Sequence, residues 1–341
     1  MKARILFLLL LVQLCVISGT VVAYGQTKVA TTAAQFLGVG VGTRAIGMGG
    51  AFVAVANDPS ALYWNPGAIS RTGMREVSFE HVNWIFGTSL NWLGGVLAID
   101  ENNAVGLSIV YLDYGEEEVT TVSSPEGIGT KWGAADLAIS ASYARNLTDW
   151  FSIGGSAKFI QQRIWNESGT AFALDVGLLF LTEFNGLRIG MDIANFGTDL
   201  KMTGEDLYVM HDPDPSIKGN NKNILGAYET QSWPLPLIFR VGLAMDVVKT
   251  EDSRVTLAAD AIHPNDNAQV VNLGAEATWR DLISARLGYR SLFQPDAQGG
   301  LTLGLGLQYV LTNNLTAKID YSYQDFGLLN NVQRFSIGLK F

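Results

Sequence analysis

The chain ends on the stretch QRFSIGLKF, residues 333–341, in which polar and apolar residues alternate without a break from Arg334 onward. Successive side chains of a β-strand point to opposite faces, so this stretch predicts a strand with one apolar and one polar face. Such a strand suits a transmembrane β-barrel, whose outer surface meets lipid and whose lumen is polar. A soluble β-sheet protein is the alternative. The apolar positions are Phe335, Ile337, Leu339 and Phe341, and between them lie Arg334, Ser336, Gly338 and Lys340.

The same alternation recurs upstream and predicts an all-β fold, a transmembrane antiparallel β-barrel of about 14 strands. Most candidate strands have the length that a tilted strand needs to cross the hydrocarbon core. A count of twelve or sixteen strands is the alternative. The candidate strands are 76–85, 89–100, 103–115, 136–147, 150–165, 170–181, 187–197, 236–248, 253–264, 269–281, 282–292, 300–311, 315–326 and 333–341.

The connections between these strands give an independent test of the count. In a barrel with both termini in the periplasm, odd-numbered connections face outward and are long, and even-numbered ones are short periplasmic turns. The two longest connections, 116–135 and 198–235, are the third and the seventh. This parity supports fourteen strands.

Composition favours a membrane barrel over a soluble protein. Hydrophobic residues make up 48% of the chain and charged residues only 16%, whereas roughly 25% charged residues is typical of soluble domains. The formal net charge is −9, and no run of Lys and Arg stands out, so nucleic acid is not an expected partner. After the N-terminus no apolar run is long enough for a helical membrane span.

The N-terminus predicts export. Lys2 and Arg4 precede an apolar run at 5–17, which is too short for a membrane-spanning helix. Small residues at Ala23 and Gly25 predict cleavage before Gln26, so residues 1–25 are interpreted as a signal peptide. An uncleaved membrane anchor is the alternative.

A glycine-rich segment separates the signal peptide from the barrel. Asp58 and Pro59 predict the start of a short helix, and the stretch 65–67 predicts a turn. Neither G-x-G-x-x-G after a strand nor GK[ST] occurs, so the glycines do not indicate a phosphate-binding loop. The predicted organisation is a signal peptide at 1–25, a hatch at 26–74 and a barrel at 75–341.

The stretch FLGVGVGTRAIGMGGAFVAVANDPSALYWNP, residues 36–66, resembles the N-terminal signature of the PorV/PorQ family of outer-membrane proteins. That family is related to FadL, a fatty-acid channel with a fourteen-stranded barrel and an N-terminal plug. The resemblance implies an outer-membrane location and a hatch folded into the periplasmic mouth of the barrel. The family usually has alanine where this chain has Gly67, and we expect the glycine to make the turn more permissive. The hatch motif comprises Gly47, Gly49, Gly50, Trp64, Asn65 and Pro66.

Two functions are compatible with this resemblance. The first is a role associated with type IX secretion, in which the loops 116–135 and 198–235 would contact secreted cargo proteins or other secretion components. The second is a FadL-like channel for hydrophobic small molecules. Its ligand pocket would involve Phe36, Phe52 and Trp64, although aromatic packing of the hatch explains the same residues.

The sequence carries no enzyme signature, and we expect neither a catalytic site nor a cofactor or metal site. His81, His211 and His263 are far apart, and the single cysteine, Cys15, lies in the predicted signal peptide. A calcium loop starting at Asp212 would have asparagine where glutamate is needed. The charged residues expected to face the lumen carry both signs, which favours internal ion pairs; they are Glu276, Arg280, Arg286, Arg290, Lys318, Asp320, Arg334 and Lys340.

Overall fold

Fourteen long antiparallel strands form the barrel. The computed structural model describes residues 29–71, 73, 75–219, 221–294, 297 and 299–341. Neighbouring strands pair along the chain and the first pairs with the last, which closes the sheet. The predicted count of fourteen strands is confirmed. The expected signal peptide lies outside the described residues. The strands are β1 (Arg75–Asn83), β2 (Ser89–Ala98), β3 (Asn103–Glu118), β4 (Lys131–Thr148), β5 (Phe151–Ile164), β6 (Glu167–Leu181), β7 (Arg188–Gly197), the short β8 (Leu200–Lys201), β9 (Thr203–Gly204), β10 (Tyr208–His211), β11 (Ile224–Ala227) and β12 (Ser232–Trp233), and then β13 (Ile238–Lys249), β14 (Ser253–Pro264), β15 (Val270–Trp279), β16 (Ile283–Leu292), β17 (Leu301–Thr312), β18 (Leu315–Asp325) and β19 (Asn331–Lys340).

The wall has an apolar outside and a polar inside. In β19, Phe335 and Ile337 are 50% and 58% exposed on the outer surface, whereas Arg334 is fully buried in the lumen. The predicted alternation is therefore confirmed. The end of the barrel that carries the long connections is called the outer end here, and the end with short turns the periplasmic end.

The third connection is shorter than expected because β3 and β4 run further. After a register shift beyond Asp113, their ladder continues until Glu118 pairs with Lys131, so the connection is 119–130 and not 116–135. The prediction ended each strand where apolar alternation stops. A ladder needs only backbone groups, and charged side chains beyond the lipid do not oppose it.

The seventh connection, 198–237, contains the five short strands. β8 pairs with β12, β10 pairs with β11, and β9 joins the end of β6. The connection extends two residues further than expected because β13 starts at Ile238. Pro236 has no N–H for a ladder, and its carbonyl oxygen instead accepts a hydrogen bond from Asn195.

The described residues before β1, 29–71, form a compact luminal segment with little regular structure. It contains 3₁₀ turns at Gln35–Gly38 and Pro66–Ala68 and two short helices, α1 (Thr43–Gly47) and α2 (Ala61–Trp64). Helix α2 begins later than Asp58 and Pro59 indicated. The Asp58 carboxylate accepts bonds from the Ser60 backbone and hydroxyl, which makes a separate turn. No helix in the described ranges is long and apolar enough to cross a membrane.

The luminal segment spans the height of the barrel. Near its start, the Ala33 N–H donates to the carbonyl of Pro234 in the seventh connection, at the outer end. At its end, Arg71 donates to the carbonyl oxygens of Thr148 and Asp149, at the periplasmic end. The resemblance implied a position in the periplasmic mouth, so the structure corrects that expectation: the segment also fills the lumen above the mouth.

Candidate functional site: the filled lumen and the outer loop

The glycines of the predicted hatch motif lie against the barrel wall. A Cβ on Gly49 would come within 2.7 Å of the Leu273 carbonyl oxygen, and a Cβ on Gly47 within 3.0 Å of Gly304 Cα. Gly49 and Gly50 also have φ angles of +69° and +73°, which side chains rarely adopt. The motif therefore permits backbone-to-backbone contact between α1 and the wall.

Asn65 ties the luminal segment to β6. Its side-chain N–H groups donate to the carbonyl oxygens of Val53 and Leu178, both at 2.9 Å. Its side-chain oxygen accepts from the Gly67 N–H at 3.1 Å, which shapes the turn that Pro66 begins. One amide thus joins two parts of the segment to the wall.

Gly67, the position at which this chain departs from the family pattern that it resembles, is in close contact with the wall. A Cβ on Gly67 would lie 2.4 Å from the Gly177 carbonyl oxygen, and a Cβ on Gly154 would lie 2.5 Å from the Pro66 carbonyl oxygen. The sequence suggested a more permissive turn. The structure gives a different reason for the glycine, which is the close approach of two backbones.

The three aromatic residues of the predicted ligand pocket do not line one cavity. Trp64 donates its indole N–H to the Val41 carbonyl and packs edge-on against Phe52, with ring centroids 6.4 Å apart. Phe36 is buried beside a separate narrow cleft of about 20 Å³. Of the three, Trp64 borders a larger cavity of about 320 Å³.

That larger cavity lies in the outer half of the lumen. Its walls combine Trp64 with Ile238 and Pro264, from the outer ends of β13 and β14. Two guanidinium groups, those of Arg240 and Arg290, also line it. Among the described residues, the Arg290 side chain has neither a hydrogen bond nor an ion pair, so it is an unpaired cation at a cavity whose wall is only partly apolar.

A chain of buried ion pairs joins α1 to the wall. Arg44 contacts Glu276 at 2.7 Å and Asp58 at 3.1 Å. Glu276 also binds Arg286 at 2.7 Å, and Arg286 reaches Asp320 at 2.5 Å. Burial opposes the charge on Arg44, but the carboxylates of Glu276 and Asp58 raise its pKa above the ordinary value.

Most of the charged residues expected in the lumen take part in such pairs. Lys318 binds Glu76 at 2.6 Å, and Arg334 lies 3.5 Å from Glu80. Mixed charge in the lumen therefore forms internal networks, as the sequence indicated. Two residues of the expected set are instead exposed at the periplasmic end, Arg280 and Lys340.

Sequence analysis missed a buried acceptor, Asp260 on β14. Its carboxylate accepts bonds from the N–H groups of Phe52 and Val53, at 2.7 and 2.9 Å. It also missed the fully buried pair of Arg240 and Asp192, which are 2.7 Å apart. In the sequence, Asp260, Arg240 and Asp192 each occupy an inward-facing position of a strand whose outward residues are apolar, and this pattern could have identified them.

The histidines do not come together. His211 lies in β10, His263 lies in β14, and the Nδ1 atom of His81 is 2.8 Å from the side-chain oxygen of Asn91. Within the described ranges, no three His, Cys, Asp or Glu side chains converge as metal ligands.

The seventh connection carries an exposed hairpin made of β10 and β11. Met210 pairs with Leu225, and Tyr208 pairs with Ala227, so these side chains share one face. Tyr208, Met210 and Leu225 are 57%, 68% and 62% exposed. The hairpin therefore presents an exposed apolar face at the outer end of the barrel.

Comparison with known proteins supports a specific family. A sequence model of the family described as Type IX secretion system protein PorV matches residues 22–206, more than half of the chain. No match was found among curated proteins.

Solved structures of low sequence identity share the fold. A FadL homologue of Pseudomonas aeruginosa is 13% identical with a TM-score of 0.54, over 88% of this chain and 98% of that one. The monoaromatic hydrocarbon channel CymD is 13% identical with a TM-score of 0.55, over 89% and 97% of the two chains. The toluene transporter TbuX of Ralstonia pickettii is 14% identical with a TM-score of 0.53, over 88% and 97%.

The family match and the geometry agree. The matched residues include the luminal segment, the strands β1 to β7 and the first part of the seventh connection. The barrel that they belong to has the lipid-compatible wall of an outer-membrane protein. The chain therefore belongs to the PorV family and is an outer-membrane β-barrel protein.

Proposed function

We propose that this chain is an outer-membrane component associated with type IX secretion and that it holds exported polypeptides at the outer surface. Membership of the PorV family is the observation that carries the proposal, because that family is described as a type IX secretion system protein. We further propose that residues 26–74 act as a hatch that keeps the lumen closed while the protein holds exported polypeptides.

The filled lumen favours contact from outside over passage through the barrel. Side chains of the luminal segment such as Phe52 and Ile46 are almost completely buried. Buried ion pairs, among them Arg44 with Glu276, hold the segment to the wall. A polypeptide would have to break these contacts to pass, whereas the seventh connection is accessible as it stands.

The hairpin of β10 and β11 is the proposed contact. A two-stranded hairpin is at best marginally stable in water by itself, and this one has an exposed apolar face. Its unpaired edges can accept a further strand from a partner through backbone hydrogen bonds. We infer that an extended segment of the exported polypeptide adds to this hairpin and covers Tyr208, Met210 and Leu225.

The test is the double variant Met210→Asp/Leu225→Asp, measured by export of a reporter with a C-terminal sorting domain. Loss of apolar anchors in a small interface lowers affinity by about tenfold or more, so we expect less reporter at the cell surface. Phe184→Asp is the matched control, since Phe184 is 68% exposed at the periplasmic end. Heat-modifiable gel mobility checks that each barrel is folded. Unchanged export by a folded double variant would contradict the proposed contact.

A second candidate is a channel for hydrophobic small molecules. The cavity bordered by Trp64 and Arg290 favours it, because a partly apolar wall with a few polar groups, among them Arg240 and Arg290, suits such ligands. The similar barrels CymD and TbuX are described as a monoaromatic hydrocarbon channel and a toluene transporter. Native mass spectrometry of the protein taken gently from its own membrane distinguishes the candidates: bound polypeptides support secretion, and bound apolar molecules without protein partners support the channel.

A further inference from the structure

A further cavity, of about 290 Å³, lies in the periplasmic half of the lumen. Its walls are the periplasmic halves of β14 to β19 and of β1, and its roof is made by α1 and the turn at Asp58 and Ser60. At its rim, Lys340 is exposed and the side chain of Asp281 is 76% exposed. The cavity therefore opens towards the periplasm and is closed towards the outer end. We call it the periplasmic vestibule.

Small inward residues keep the vestibule open. Ser78 of β1 pairs with Gly338 of β19, and the next inward residue of β19 is Ser336. One inward position further up β19 is Arg334, whose guanidinium bonds to the luminal segment and fills the lumen at that height. The empty space thus begins where the inward side chains become small, so the residues of the wall determine its place.

The charged groups of the vestibule are paired with one another. Lys318 binds Glu76 at 2.6 Å, and Arg286 binds Asp320 at 2.5 Å. Six carboxylates and five cations line the whole cavity, so the two signs nearly cancel. An apolar ligand would remove water from these charges and is disfavoured. A ligand with a large net charge would gain little from walls that are almost neutral.

Neutral hydrogen-bonding groups around the same space are unused. Within the described residues, the side chains of Ser78, Ser336 and Gln308 make no hydrogen bond. Trp92, at the inner end, is 1% exposed, and its indole N–H has no partner among the described residues. A buried N–H group without an acceptor is unfavourable. The vestibule therefore has free donors and acceptors directed at one recess.

From this arrangement we propose that the periplasmic vestibule binds a small neutral sugar, a monosaccharide or disaccharide. A hydroxyl group both donates and accepts hydrogen bonds, so a sugar can pair with Gln308, the two serines and Trp92 while the ion pairs stay intact. The cavity volume of about 290 Å³ is near the lower end of the range of roughly 300–1,000 Å³ for ligand sites. This site is independent of the secretion proposal, because the luminal segment separates it from the outer hairpin.

Calorimetric titration of the purified full chain tests the proposal. The detergent is lauryldimethylamine oxide, which has no sugar headgroup, and the probes are glucose and maltose. Glycylglycine, a zwitterion, and succinate, a dianion, are the comparison ligands. We expect saturable binding of a sugar and slower hydrogen exchange at residues 58–60, which form part of the roof. Absence of sugar binding, tighter binding of either comparison ligand, or sugar binding without slower exchange at the roof would overturn the proposal.

Two variants locate the sugar in the vestibule. Ser78→Leu fills the recess, and Val77→Leu is the matched control, since Val77 is the adjacent outward residue and is 42% exposed. Trp92→Phe keeps an aromatic ring and removes the unpaired N–H group. We expect affinity for the sugar to fall by about tenfold or more in Ser78→Leu and by about three- to tenfold in Trp92→Phe.

Heat-modifiable gel mobility checks that each variant is folded. If Ser78→Leu fails to fold, Trp92→Phe still tests the site, because it adds no volume. Affinity that is the same in a folded Trp92→Phe variant as in Val77→Leu would contradict the assignment of the sugar to this cavity.

Discussion

At the scale of single residues, the luminal segment is held by contacts that tolerate little added volume. Gly67 meets the Gly177 carbonyl, and Asn65 donates to the Leu178 carbonyl, one residue further along β6. Asp260 accepts two backbone bonds from the segment. These groups are far apart in sequence and become neighbours only inside the closed barrel.

Gly67→Ala should destabilise the docked segment by about 1–3 kcal/mol, the usual cost of overpacking a close contact. The added Cβ would overlap the Gly177 carbonyl oxygen at 2.4 Å. Protease sensitivity of residues 29–71 in the folded barrel measures the effect. Gly38→Ala is the control, because a Cβ there meets nothing within 4 Å. Equal protection of the two variants would contradict the prediction.

Asp260→Ala should also loosen the segment, because it leaves the N–H groups of Phe52 and Val53 without an acceptor. Each buried unsatisfied group costs about 1–3 kcal/mol. Asp260→Asn keeps one acceptor oxygen at the same place and should lose less. Hydrogen exchange at residues 52 and 53 follows the change, and identical exchange in the two variants would count against the role given to the carboxylate.

At the scale of elements, α1 depends on the glycines that bring it to the wall. The helix and the glycine that follows it approach β17 and β16 through backbone atoms, since a Cβ on Gly47 would lie 3.0 Å from Gly304 Cα and a Cβ on Gly288 2.1 Å from the Gly49 nitrogen. The ion pair between Arg44 and Glu276 then orients the helix on the wall. The helix has only five residues, so the wall and not helix propensity stabilises it.

Gly49→Leu should undock the segment while the barrel stays closed. The side chain would meet the Leu273 carbonyl at 2.7 Å and would also have to adopt a φ of +69°. The barrel should remain because its backbone hydrogen bonds close on themselves. The expected result is normal heat-modifiable mobility together with rapid proteolysis of residues 29–71. Loss of that mobility would show that the strands need the segment in order to close.

At the scale of the whole molecule, the barrel is a closed wall around a filled lumen, and the proposed partner contact is on the outside. The filling is polar where it meets charged wall residues such as Glu276 and Arg286, and apolar around Trp64. The proposed contact, the hairpin of β10 and β11, lies at the outer end. The proposed contact therefore does not require the lumen to open.

Deletion of residues 29–71 should convert the barrel into an ion-conducting pore. The wall can close without the segment, and water would then reach luminal charges such as Asp192 and Arg240. Planar-bilayer recordings should give a steady conductance for the deletion variant and none for the full chain. A conducting full chain would show that the described segment leaves a continuous path.

Period-two alternation was enough to predict the barrel, its fourteen strands, its lipid-facing residues and the parity of its connections. Those features could be read locally, because lipid and lumen impose their pattern on every strand separately. The tertiary structure alone decided how high the luminal segment reaches, why Gly67 is a glycine and what Asp260 binds. Each depends on the meeting of distant segments, as in the bond from Phe52 to Asp260, which joins residues 208 positions apart. The tertiary structure also decided where β3 and β4 end. Their backbone pairing continues beyond the lipid, where the side-chain alternation that predicts strands stops.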